Sequence, residues 1–248
     1  MAAVTGRDIR AVLFDLDDTL FAHRESVETG IHAHRAELGG ELAAAEPASE
    51  FARWNALEEE HYHRYLAGEI DYLEQRRARA RAFVAPYGIE LDDEAAVDWF
   101  AAYTRHYERS WTLHDDVREC LAAIAPRALG IITNGDLAFQ TSKIVGTGLD
   151  TLIPLENLVA SGEVGAAKPD ARIFELAAER LGVGPAEACY IGDRLHTDAI
   201  GAARAGLLGV WIDRHGAASA EQLAEARASG VAVIRGLAEL PPLVAARG

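Results

Sequence analysis

The sequence predicts an α/β fold: a doubly wound parallel sheet, interrupted after its first strand by an all-helical insertion. Three observations lead there. Short, near-continuous apolar runs recur along the chain, with helical patterns between them. Several of these runs close on an acid or a small polar residue. One long stretch after the first run has helical spacing and no convincing strand. Near-continuous apolar strands are what a sheet covered on both faces demands, and strand–helix alternation makes that sheet parallel.

The first run, residues 10–15, is short, apolar and ends in Asp15. Residues from about Phe21 to Thr112 are rich in Ala, Glu, Arg and His. Within them Phe51, Trp54, Tyr62 and Tyr65 recur at roughly helical intervals, and Trp99, Tyr103, Tyr107 and Trp111 repeat every fourth residue, along one helix face. The sheet then resumes with strands expected at 128–133, 188–192, 209–212 and 231–234, and helices at 116–125, 170–181 and 197–205. The expected organisation is a core of residues 1–20 and 113–248 with a helical domain at 21–112. The Ala-rich stretches follow from helix propensity rather than from a linker.

A chain of 248 residues, 50% of them hydrophobic, can bury one sizeable core and a second small unit. With 24 basic and 39 acidic residues the formal charge is −15, which disfavours nucleic acid or an anionic membrane as a partner. A small phosphorylated substrate needs only local positive charge or a metal. Cys120 and Cys189 lie far apart without metal-ligand spacing, as expected of thiols in a reducing compartment. The N-terminus shows no charged region followed by a long apolar run, and no stretch reaches the ~18–20 apolar residues of a membrane span. The expectation is a cytoplasmic protein, a monomer or a homodimer.

Four elements carry chemistry. Asp15-Leu-Asp17-Asp18-Thr19 follows the first strand, where ligands bind beyond the carboxyl ends of a parallel sheet. Two carboxylates two residues apart can converge there, one to attack and one to handle a proton; a turn or a helix cap would also account for Asp17, Asp18 and Thr19. Thr133-Asn134-Gly135 closes the second strand, and Asn-Gly alone is a common turn. Lys168-Pro169-Asp170 opens a helix, with Pro169 suited to its first turn and Asp170 to its dipole. Gly192-Asp193 ends another apolar run, and Asp198 follows five positions after Asp193 at the next helix start. Each element has a bland explanation by itself. All of them fall at strand ends or helix starts, which a doubly wound sheet gathers along one edge.

This ordered set resembles the haloacid dehalogenase superfamily, with a Rossmann-like core, and specifically its phosphatases that carry a helical cap domain after the first motif. The stretch from Ile131 to Trp211 looks most like the branch of pyrimidine 5'-nucleotidases and N-acylneuraminate-9-phosphatases. The resemblance implies Asp15 as nucleophile, forming an aspartyl-phosphate, and Asp17 as the general acid and base. It implies Thr133 and Lys168 on the phosphoryl oxygens, with Asn134 nearby. Asp193, the Asp15 carboxylate and the Asp17 backbone carbonyl would hold Mg²⁺, and Asp198 would orient a metal-bound water or Lys168. A carboxylate attacking a phosphate dianion must be screened by cations, and oxygen ligands with retained waters suit Mg²⁺ better than zinc. The implied reaction is hydrolysis of a sugar phosphate or nucleoside monophosphate. A 2-haloacid dehalogenase, a phosphomutase, and an inactive binding protein of the same fold are the alternatives. Where many relatives place a small hydroxyl residue, this chain has Arg194, which bears on selectivity.

Three further features have plainer explanations. Arg76, Arg77, Arg79 and Arg81 read as a solvated helix face answering Glu58, Glu59 and Glu60. His32 with His34, and His61 with His63, are two apart and point to different helix faces, so neither pair is a zinc site. The aromatic stripe from Trp99 to Trp111 reads as helix packing.

Overall fold

A computed structural model describes residues 7–245. The chain divides into two compact units, one made of residues up to Ala22 and from Thr112 onward, the other of His23–Trp111.

The first unit is built on a six-stranded, wholly parallel sheet: β1 (Ala11–Phe14), β2 (Ala128–Thr133), β3 (Leu158–Ala160), β4 (Ala188–Gly192), β5 (Leu208–Ile212) and β6 (Ala232–Ile234). The spatial order is β3-β2-β1-β4-β5-β6. The order reverses direction at β1, between β2 and β4, so the crevice of such a sheet opens at the carboxyl end of β1. Every residue of β1, β4 and β5 is buried, which is why these runs carry no polar alternation. Strand β3 has no counterpart in the sequence reading: three residues at a sheet edge are too few to produce a pattern.

In the second unit the helices are α1 (His23–Leu38), α2 (Gly40–Ala44), α3 (Pro47–Leu66), α4 (Tyr72–Val84) and α5 (Asp93–Arg109). The starts of α3, α4 and α5 are set by side-chain caps: Glu46 accepts from the amides of Ala48 and Ser49, Asp71 from Glu74 and Asp92 from Ala95. The aromatic spacing makes the core. Trp54 is fully buried, with Tyr103, Phe83 and Trp99 at ring distances of 4.7, 5.1 and 5.6 Å. Trp99, Tyr103 and Tyr107 are all buried, while Trp111 lies past the end of α5.

The arginine cluster departs from the sequence expectation. Arg79 is only 5% exposed; it pairs with Glu58 at 3.2 Å and lies over the Trp54 ring. Arg77 and Arg81 turn to Glu74 and Asp93 instead of the Glu58–Glu60 run, and Arg76 lies over Tyr72 and Phe100. Guanidinium faces are weakly hydrated and stack on rings, so this helix uses arginine as packing material.

The remaining helices flank the sheet: α6 (Val117–Ile124), α7 (Leu137–Gly146), α8 (Ser161–Val164), α9 (Ala171–Arg180), α10 (Gly201–Arg204), α11 (Ala220–Ala228) and α12 (Leu240–Val244). Ahead of α10 the chain makes a π-helical segment, Leu195–Ile200, where one continuous helix was expected. Both cysteines are buried free thiols. Among the described residues no helix is long and apolar enough to cross a membrane.

Candidate active site

The chain leaves β1 at Asp15, whose amide still donates to the Ile191 carbonyl of the neighbouring strand at 2.8 Å. It then turns sharply. The amides of Thr19, Leu20 and Phe21 converge on the Leu16 carbonyl, and the Asp18 amide donates to Phe21. Asp18 takes a left-handed φ of 57°, a conformation short polar residues tolerate at modest cost. The knot keeps Asp15 at the sheet edge, only 7% exposed. Arg214 braces it from behind, donating to the Thr19 carbonyl at 2.7 Å while holding both Asp116 oxygens at 3.0 Å.

At the end of β2, Thr133 is buried, and its hydroxyl accepts from the Gly135 amide and from Gln140 Nε2. Gln140 Nε2 also donates to Asp17 at 2.9 Å, and Lys143 Nζ reaches the other Asp17 oxygen at 2.7 Å. Gln140 and Lys143 stand one turn apart on α7 and are both buried. A side chain at Gly135 would overlap the Gln140 amide, so the Asn-Gly pair is a requirement of packing as well as a turn. Asn134 pins Lys168 by two bonds, donating to its carbonyl at 3.0 Å and accepting from its amide at 2.8 Å.

Lys168 sits between the acids. Its ammonium donates to Asp15 at 2.5 Å, to Asp198 at 2.7 Å and to the Tyr190 hydroxyl at 2.8 Å, so all three donors are used. Burial opposes its charge, but the Asp15 and Asp198 carboxylates outweigh that and hold its pKa above the ordinary lysine value. Pro169 precedes the helix rather than opening its first turn. Asp170 is the N-cap of α9 and accepts from the Arg172 amide, a more specific role than the expected dipole effect.

Asp198 is buried and fully engaged: one oxygen takes Lys168 and Tyr190, the other the Arg194 amide. Gly192 allows this, because a Cβ there would overlap the Asp198 carboxylate. The Asp193 carbonyl accepts from the Trp211 indole at 2.8 Å. Burial pushes the Asp193 carboxyl up to about 8, with Asp15, Asp198 and Asp18 adding to the rise and the Arg194 charge opposing it. Burial likewise lifts Asp15 to about 7, against the pull of Lys168 and with the charges of Asp198 and Asp17.

Oxygens of Asp15, Asp193 and Asp198 lie within 4.8 Å of one another. Asp198 is committed to its hydrogen bonds, which leaves Asp15 and Asp193 as the carboxylates facing a cation. The donors are hard oxygens, and neighbouring carboxylates add to the burial-driven rise of both carboxyls. This set fits Mg²⁺.

Of the residues expected at strand ends or helix starts, Lys168 meets Asp15 and Asp198, Asn134 holds the Lys168 backbone, Asp193 lies beside Asp15 and Asp198, and Gln140 joins Asp17 to Thr133. The sequence reading missed three partners. Gln140 and Lys143 were signalled only by two long polar side chains three apart in one helix, and Tyr190 by a lone hydroxyl in an apolar strand.

Comparison with known proteins places this geometry. The family model described as haloacid dehalogenase-like hydrolase matches residues 9–206. Glyceraldehyde 3-phosphate phosphatase of Methanopyrus kandleri is 33% identical, over 83% of this chain and 84% of that one. Pyrimidine 5'-nucleotidase YjjG of Escherichia coli is 28% identical over 82% and 86%. Phosphoserine phosphatase of Thermus thermophilus reaches 41% identity, but over 43% of each chain. Among solved structures, the magnesium-bound HAD-hydrolase YfnB of Bacillus subtilis shares the fold, with a TM-score of 0.74 at 20% identity over 97% of this chain and 100% of that one. An acid-ended β1, a buried lysine clasping the first aspartate and a family match across most of the length agree, and the chain belongs to the haloacid dehalogenase-like hydrolases.

Proposed function

We propose that this protein is a Mg²⁺-dependent phosphomonoester hydrolase acting on a small phosphorylated metabolite, a sugar phosphate or a nucleoside monophosphate, through an aspartyl-phosphate on Asp15. The observation that carries this reading is the pairing of the Asp15 carboxylate with the Lys168 ammonium at 2.5 Å, with Asp17 two residues on in its own polar clasp. Relatives named as phosphatases of glyceraldehyde 3-phosphate, phosphoserine and pyrimidine nucleotides support the substrate class.

In this mechanism an Asp15 oxygen attacks phosphorus, the bond to the leaving oxygen breaks, and Asp17 supplies that oxygen with a proton. A water then gives its proton to Asp17 and displaces Asp15 from phosphorus, restoring both residues. Gln140 and Lys143 hold the two Asp17 oxygens and so orient the carboxyl for both proton transfers. The Thr133 hydroxyl, and the Lys168 ammonium on exchanging one of its three present bonds, bind phosphoryl oxygens, and Asn134 fixes the Lys168 backbone. Asp193 and Asp15, with the Asp17 carbonyl, would hold Mg²⁺, which supplies charge neutralisation at the phosphoryl group.

The test is phosphate release from p-nitrophenyl phosphate and a metabolite panel. Activity is expected with Mg²⁺, lost in EDTA and restored by added Mg²⁺. Asp15→Asn should fall to background, and Asp17→Asn should lose about 10²–10⁴-fold. A protein inert towards every phosphate ester but releasing chloride from chloroacetate would replace this reading with a dehalogenase; halide leaves without needing the proton that Asp17 supplies.

A further inference from the structure

Among the described residues of the helical unit, several buried polar groups lack a hydrogen bond, and His34 is one whose ring nitrogens are both left so. His34 on α1 is 2% exposed, and neither ring nitrogen makes a hydrogen bond. The Trp99 ring lies edge-on to it at 4.5 Å. A buried polar group left unpaired is costly, so its retention asks for a ligand. One turn on, Glu37 projects from the same helix, and His106 comes from the antiparallel α5, its ring 5.7 Å from that of His34. Glu37 and His106 already meet at 2.6 Å.

We propose that His34, Glu37 and His106 form a site for one divalent cation of the zinc class, bridging α1 and α5. Donor atoms of the three residues lie within 4.8 Å of one another. Zinc bonds of about 2.0–2.2 Å in tetrahedral array bring donors to roughly 3.4 Å apart, which rotations of the exposed Glu37 and of the His106 ring can supply. Two imidazoles and one carboxylate select zinc, cobalt or nickel over Mg²⁺ and Ca²⁺. Three protein donors leave a fourth position for water at the surface. Arg105 is the neighbouring cation, and its charge works against the ion while that of Glu37 works for it. The histidine pairs two apart in sequence do not make this site: the partner of His34 is 72 positions away, across a helix interface.

The experiment is titration of the full chain with Co²⁺ and Zn²⁺ in excess Mg²⁺, followed by visible absorption and calorimetry. One equivalent of Co²⁺ is expected, with the intense absorption of a four-coordinate nitrogen-ligated ion, displaced by Zn²⁺. Glu37→Gln at the surface and His106→Gln, partly buried, should each weaken binding by at least about 100-fold, since outer-shell losses alone reach that range. His34→Phe should abolish it while keeping the ring packing, checked by circular dichroism. Asp193→Asn should leave it intact. Absence of the four-coordinate spectrum, or binding lost in Asp193→Asn and kept in His106→Gln, overturns the proposal. Because the readout is metal binding in the helical unit, it stands or falls separately from phosphatase activity.

Discussion

Lys168 shows how much one side chain is asked to do. It lies 153 residues from Asp15 in sequence, is 7% exposed, and spends every ammonium proton on Asp15, Asp198 and Tyr190. Removing one member of a buried ionic group leaves the others uncompensated, which costs about 3–5 kcal/mol. Lys168→Met should therefore lose about that much stability in urea unfolding at neutral pH, besides its activity. A loss below about 1 kcal/mol would show that the acids do not depend on this lysine. Asp15 and Asp193 were legible from sequence because each follows a strand, and Lys168 because it stands just before a helix, all local features. Lys143 was not, since its meaning rests on Asp17, 126 positions away.

At the scale of elements, Asp116 ties three of them together. From the residue before α6 it accepts two bonds from Arg214, beyond β5, and one from the Leu237 amide, beyond β6. Arg214 in turn holds the carbonyl of Thr19 in the loop after β1. Asp116→Asn is expected to cost about 1.5–3 kcal/mol, the range for hydrogen bonds to charged groups. Burial alone would raise the Asp116 carboxyl, but the Arg214 guanidinium and the Leu237 amide outweigh it and hold the pKa below the ordinary value. The unfolded chain thus binds the proton first. The stabilisation is complete above the usual aspartate pKa of about 3.9 and is lost as pH falls through the lower folded value. Urea unfolding between pH 6 and pH 3 should give a steeper acid loss for the wild type than for Asp116→Asn, and parallel curves would remove Asp116 from the account.

For the whole molecule, the two stretches of the sheet-bearing unit that flank the helical insertion in sequence are paired with each other. The Ala22 amide donates to the Thr112 carbonyl at 3.0 Å, and Phe21 bridges to Leu113. Seven residues of the proposed active site, from Asp15 to Asp198, lie outside His23–Trp111. Replacing His23–Trp111 with a short Gly-Ser linker is expected to leave a cooperatively folding core with the circular dichroism of an α/β sheet, because loop closure across so small a gap costs little. A chain that fails to fold after this excision would mean that the core needs the helices it carries.

What the sequence by itself determined were features with a local cause. Burial on both faces demands apolar strands, helical period sets the aromatic stripe of α5, and the carboxyl ends of parallel strands collect the acids, so the fold class and a set of candidate site residues could be read without coordinates. Only the tertiary structure decided which distant groups meet: Lys143 and Gln140 on Asp17, Arg79 beneath Trp54 instead of in solvent, His34 beside His106, and β3 as a sixth strand at the edge. The reason is physical. Periodicity and strand-end chemistry act over a few residues, whereas a partner for a buried charge is chosen by packing, which sequence separation does not encode.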